Sequence, residues 1–173
     1  MTSATQQWEN ALNKGQEVKV AALDISRAFD RVWHKGLLSK LMALGIGGSV
    51  YRWIRSFLHN RSIKVIINGQ QSTVSYINAG VPQGSVIGPT LFLIYINDLI
   101  DCVKNQVHLF ADDTTLSAII PNGMESKTQV INSFQSDLRA IEEWAEKWLV
   151  NFNAKKTQLM TISRKKANQL MRI

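Results

Sequence analysis

Cysteine is nearly absent from this chain of 173 residues, with Cys102 standing alone. No internal disulfide can form, and a reducing, intracellular compartment is expected over secretion. No run is long and apolar enough to span a bilayer. The polar start, Met1 to Asn10, lacks the charged-then-apolar order of a signal peptide. The expectation is a cytoplasmic or nuclear protein with no targeting signal and no membrane partner. Internal repeats and low-complexity stretches are also missing. Acidic residues are the scarce charge, 13 against 20 Lys and Arg, giving a net charge of +7. That excess suits a polyanionic partner, because basic side chains neutralise phosphates and release counterions. What remains is a globular balance, 45% hydrophobic and 19% charged, long enough for a real core.

The apolar pattern then divides the chain. Residues 1–16 read as a helical lead-in. Val18 to Ile25 is nearly continuous in apolarity, as a buried strand is. Ala28, Val32, Leu37, Leu38, Leu41 and Leu44 follow a helical period that stops at Gly45. Ser49 is placed to cap a second helix carrying Trp53, Ile54, Phe57 and Leu58. Ile63–Ile67 and Thr73–Ile77 flank Asn68-Gly69, a dipeptide that favours a tight hairpin. A Gly/Pro-rich loop, residues 80–89, precedes an apolar helix from Thr90 to Val103. Two short strands, Val107–Phe110 and Thr115–Ile119, enclose Asp112-Asp113. Ser126 and Gln129 have capping-box spacing ahead of a long helical stripe, and Leu159–Ile162 reads as a closing strand. The expected fold is α+β, an antiparallel sheet covered by helices on one face. The expected organisation is a single domain, residues 1–163, with a basic tail at 164–173.

Three aspartates do not fit their surroundings. Asp24 ends an apolar strand, and Asp112 and Asp113 sit between two others. Adjacent aspartates in a strand turn are often turn formers. They also repel each other, and such a cluster binds cations or takes up protons. If the strands are neighbours, Asp24 joins the pair. Carboxylates without a His or Cys cluster favour hard ions such as magnesium. Two such ions can clamp an in-line displacement at phosphorus.

At these residues the sequence resembles reverse transcriptases, most closely those of non-LTR retrotransposons of the jockey and CR1 kind. Ala22-Leu23-Asp24-Ile25-Ser26-Arg27-Ala28-Phe29-Asp30-Arg31-Val32 is similar to motif A. Residues 80–89, which include Pro82-Gln83-Gly84, resemble motif B. Phe110-Ala111-Asp112-Asp113 resembles motif C, and residues 148–157 resemble motif D. The four motifs occur in the family's order.

The resemblance implies an RNA-directed DNA polymerase palm with part of the fingers, working on an RNA template, a DNA primer and dNTPs. It implies two magnesium ions, replaceable by manganese, held by Asp24 and Asp112 with support from Asp113 and the Ile25 carbonyl. Phe29 takes the place of the aromatic gate against a ribose 2′-hydroxyl, while also suiting a core position. Gln83 and Gly84 would lie under the incoming nucleotide. Lys156 matches the lysine held to protonate departing pyrophosphate. Asp30 reads as structural, pairing with Arg31 or a neighbouring base. Arg52, Arg55, Arg61 and Lys64 either contact template phosphates or form a solvated face. His34, His59 and His108 show no ligand spacing, and Trp144 and Trp148 suit core packing. The thumb and most of the fingers, with their triphosphate clamp, are expected to be missing, as partners from a longer polyprotein. The alternative is a silent remnant that folds and binds nucleic acid. An RNA-dependent RNA polymerase palm is disfavoured by Phe29 and by Pro82-Gln83-Gly84.

Overall fold

A computed structural model describes residues 2–164. Most of the basic tail, including Lys165, Lys166 and Arg172, lies outside the described residues. In chain order the elements are α1 (Thr2–Asn13), β1 (Glu17–Asp24), α2 (His34–Ala43), α3 (Gly48–Leu58), β2 (Arg61–Ile63), β3 (Ile66–Ile67), β4 (Gln70–Gln71), β5 (Ser75–Ile77), α4 (Gly88–Ile96), β6 (Gln106–Phe110), β7 (Asp113–Ile120), α5 (Met124–Lys147) and β8 (Gln158–Ile162). Short 3-10 turns lie at Ala28–Asp30 and Asn97–Cys102. The chain divides into two compact units. Among the described residues, one holds 2–25, 100–144 and 152–164, and the other holds 26–99 and 145–151. No helix among the described residues is long and apolar enough to cross a membrane.

The first unit is built on an antiparallel sheet in the order β6-β7-β1-β8. Its central strand, β1, buries both faces at once. Val18 and Val20 pack with Ala11 of α1, joined by Trp8 and Ile162. Ala21 and Leu23, on the opposite face by alternation, are buried with their neighbours Leu116 and Ala118. Burial is therefore not confined to one face, and the near-continuous apolar run of β1 is the reason. The Val18/Val20 face loses its cover further along, where Ala22 and Asp24 are only half-buried.

The second unit carries α2, α3, α4 and a hairpin. The helix expected from Ala28 to Leu44 is interrupted. Residues 31–33 leave the helical path, and Trp33 forms an extended bridge to Ala79. α2 stops as expected, with Gly45 at φ 76° and the Ile46 N–H closing on the Leu41 carbonyl. α3 begins at Gly48 with Gly47 at its N-cap, so Ser49 is inside the helix and caps nothing. The Asn68-Gly69 turn is present, both residues at positive φ (50° and 78°), as the favoured hairpin turn requires. Its arms are broken: β3 pairs β4 and β2 pairs β5, with the Val65 N–H bonded to the Ser72 hydroxyl between them. The apolar helix after the loop tightens into a 3-10 turn after Ile96. In the first unit α5 starts at Met124, two residues before Ser126, so no capping box forms.

Candidate functional site

The register of the first unit sets Asp24 of β1 directly opposite Asp113 of β7. Directly opposed residues share a face of the sheet, so both carboxylates stand on the face that carries Val18 and Val20. Phe110 of β6 pairs with Asp113, which leaves Ala111 and Asp112 as the two-residue turn. Ala111 is held at φ 54°, a left-handed conformation that costs an L-residue about 1–2 kcal/mol. Strain at a turn carrying a charged pair is the sort found at functional positions.

A groove of about 930 Å³ opens on this face. Ala4, Thr5 and Trp8 of α1 form one wall, and Asp24, Phe110, Asp113, Lys156 and Gln158 are among the other lining residues. Trp8 Nε1, His108 Nε2 and Thr114 Oγ1, on residues that line it, are buried and have no hydrogen-bond partner among the described residues. Such atoms cost about 1–3 kcal/mol each.

Lys156 Nζ lies 3.4 Å from Asp24 Oδ1. Its side chain is 67% exposed against 22% for Asp24, so the pair contributes at most about 1 kcal/mol and is easily exchanged. Asn153 organises the turn that delivers this lysine. Its N–H donates to the Asp24 carbonyl, and its own carbonyl accepts from the Lys156 and Thr157 N–H groups.

The donors suit a hard divalent cation: oxygen only, like-charged and register-opposed. Among the described residues, no three His, Cys, Asp or Glu side chains are gathered as a metal cluster. The structure brings Asp24 and Asp113 together, places Asp112 in the turn, and buries Ile25 in a bridge to Phe152.

In the second unit, Phe29 is half-buried with its ring 4.9 Å from that of Phe92. It packs against that ring without being one of the buried core side chains. Gln83 is exposed and donates from Nε2 to Asp30 Oδ1 at 2.8 Å. Gly84, at φ 79°, has open space where a side chain would stand. The chain just after Phe29 is fastened to this loop. The Val81 N–H donates to the Phe29 carbonyl, the Gly80 N–H donates to the Val32 carbonyl, and the Gly80 carbonyl lies 2.7 Å from His34 Nε2.

The profile of the family described as "Reverse transcriptase (RNA-dependent DNA polymerase)" matches residues 1–170. The chain belongs to the reverse transcriptase family. It is 38% identical, over 159 residues, to the RNA-directed DNA polymerase from mobile element jockey of Drosophila funebris, covering 88% of this chain and 17% of that protein. It is 32% identical, over 143 residues, to the probable RNA-directed DNA polymerase from transposon BS of Drosophila melanogaster, covering 78% and 15%. The chain therefore spans about a sixth of the length of these relatives. Among solved structures, a truncated apo telomerase from Candida tropicalis aligns with a TM-score of 0.66 at 13% identity, covering 98% of this chain and 36% of that one. That likeness is one of fold.

Of the four basic residues singled out in this reverse transcriptase chain, only two line one groove. Arg55 and Arg61 line a second groove, of about 540 Å³, with Trp33, Lys35, His59 and Tyr76 among its other walls. Among the described residues, none that lines it is acidic. Arg52 is exposed on α3 outside that lining, and Lys64 bonds Gln71 across the hairpin. Sequence reasoning missed the parts played by His34, Asp30 and Asn153. Each acts through a backbone or side-chain contact with a residue distant in sequence, and no local pattern signals that.

Proposed function

We propose that the chain is the palm of an RNA-directed DNA polymerase with part of its fingers, the thumb lying elsewhere in a longer protein. The reaction is attack of a primer 3′-hydroxyl on the α-phosphate of a dNTP, directed by an RNA template, with pyrophosphate leaving. The observation that carries this reading is the register that opposes Asp24 and Asp113 beside the turn bearing Asp112, in a chain of this family. Asp24, Asp112, Asp113 and the Ile25 carbonyl would hold two magnesium ions, with manganese able to replace them. Bound there, the ions supply charge neutralisation at the attacking oxygen and the phosphates. Phe29 sets the bulk that a ribose 2′-hydroxyl would meet, braced from behind by Phe92. Gln83 and Gly84 support the nucleotide, the open space at Gly84 favouring close backbone approach. Lys156, held near Asp24 by a weak pair, is available to protonate pyrophosphate. Arg52, Arg55, Arg61 and Lys64 serve template phosphates, and the acid-free lining around Arg55 and Arg61 favours that use.

Calorimetric titration with manganese tests the metal site. The wild-type chain binds, and the Asp24→Asn, Asp112→Asn double variant loses at least tenfold in affinity, since two anionic ligands are removed. Equal affinity in the two would sink the proposal. A second reading is a segment that folds and binds nucleic acid without polymerising on its own, and the chain's spanning about a sixth of its relatives' length favours it. Primer extension on an RNA template separates the two, and extension by this chain would remove the second.

A further inference from the structure

Gln83 stands on an exposed loop, where a glutamine side chain has three torsions and two chemically different ends. Nothing in its own sequence neighbourhood selects which end faces a ligand. The loop behind it is fixed. A Cβ at Gly80 would stand 2.7 Å from the Asp30 carbonyl oxygen, so the backbones of Gly80 and Asp30 are in direct contact. The Gly80 and Val81 N–H groups are bonded to Val32 and Phe29, on either side of Asp30. Pro82 then restricts the approach to Gln83. Asp30 is thereby held where its Oδ1 accepts from Gln83 Nε2 at 2.8 Å.

We propose that Asp30 is the positioning residue for Gln83, fixing which end of its amide is turned toward a bound nucleotide. A carboxylate only accepts, so the NH₂ end must face Asp30 and the amide oxygen is turned away from it. The opposite orientation sets two oxygens against each other. Ordering the side chain in advance removes the entropy cost of immobilising it from ligand binding. This rests on the polymerase reading for Gln83 as a nucleotide contact, but the orientation is a property of this chain alone.

Two measurements on the full chain test it. In the first, the Gln83 side-chain amide is followed by NMR. The wild type shows the two amide protons displaced from the positions of a solvated glutamine, the one donated to Asp30 moved downfield, and Asp30→Ala returns both to those positions. The same signal in both proteins overturns the proposal. In the second, dATP with magnesium is titrated against the wild type, Asp30→Ala, Gln83→Ala and the double variant, with thermal unfolding as the check on folding. Asp30→Ala weakens dATP about fivefold, and the double variant binds no more weakly than Gln83→Ala alone. A full additive loss in the double variant, or unchanged affinity in Asp30→Ala, shows that Asp30 does not act through Gln83. Unchanged affinity in Gln83→Ala also overturns it. The polymerase reading is judged separately, by the manganese titration, so each can fail without the other.

Discussion

Lys40 illustrates what one residue can decide. It lies on α2 and is buried, with 6% exposure. Its ammonium donates to the Tyr95 carbonyl and to Asp98, and it sits 3.8 Å over the Trp148 ring. The Tyr95 hydroxyl in turn donates to the Trp148 carbonyl. The network ties α2 and α4 to residues 145–151 within the second unit. Burial pushes the Lys40 ammonium below the usual lysine range, against the opposing pull of Asp98. The folded state therefore releases this proton at a lower pH than the unfolded chain. Stability from this group rises with pH between the folded value and 10.5, the ordinary lysine value. Burial raises the Tyr95 phenol, so its contribution falls above pH 10. In urea denaturation the wild type should gain stability as pH rises toward 10, and Lys40→Met should flatten that gain. An unchanged slope would contradict the account.

At the scale of elements, the hairpin of β6 and β7 depends on a carboxylate from α5. Asp137 is buried, with 2% exposure. It accepts from the backbone N–H groups of Lys104 and Asn105 and from the Asn105 amide, pinning the chain just before β6. Hydrogen bonds to a charged acceptor contribute about 1.5–3 kcal/mol, and two backbone donors would be orphaned by its loss. Asp137→Ala should lower stability by about 3 kcal/mol in urea denaturation, and a cost under about 1 kcal/mol would remove Asp137 from this role. The elements also show where sequence patterns mislead. Asn68-Gly69 was readable because the turn demands positive φ at both positions, and few residues tolerate that. The break at residues 31–33 was not readable. A bridge to Ala79 and the Gly80 contacts override a helical period there, and those partners lie nearly fifty positions away.

At the scale of the molecule, the net charge is +7, and Arg55 and Arg61 contribute to it from the lining of one groove. The groove around Arg55 and Arg61 has basic and aromatic walls, which suit a single strand through phosphates and stacked bases. For single-stranded RNA, each phosphate neutralised contributes about 0.7 to the slope of log affinity against log salt. The Arg55→Ala, Arg61→Ala double variant should reduce that slope by about 1.4, read by fluorescence anisotropy across salt concentrations. An unchanged slope would leave the groove without a role in holding phosphates.

The sequence by itself determined the strand that ends in Asp24, the turn around Asp112 and Asp113, the order of four motifs and so the family. Each is carried by residues close together in the chain, where periodicity, turn chemistry and a misplaced charge act locally. Only the tertiary structure decided that Asp113, rather than Asp112, stands opposite Asp24, because register depends on how two strands 89 positions apart align. It also decided that Lys156 pairs with Asp24, that Phe29 packs on Phe92, and that Asp30 holds Gln83. Those contacts join residues separated by dozens of positions or more, and long-range packing has no signature in a local window of sequence.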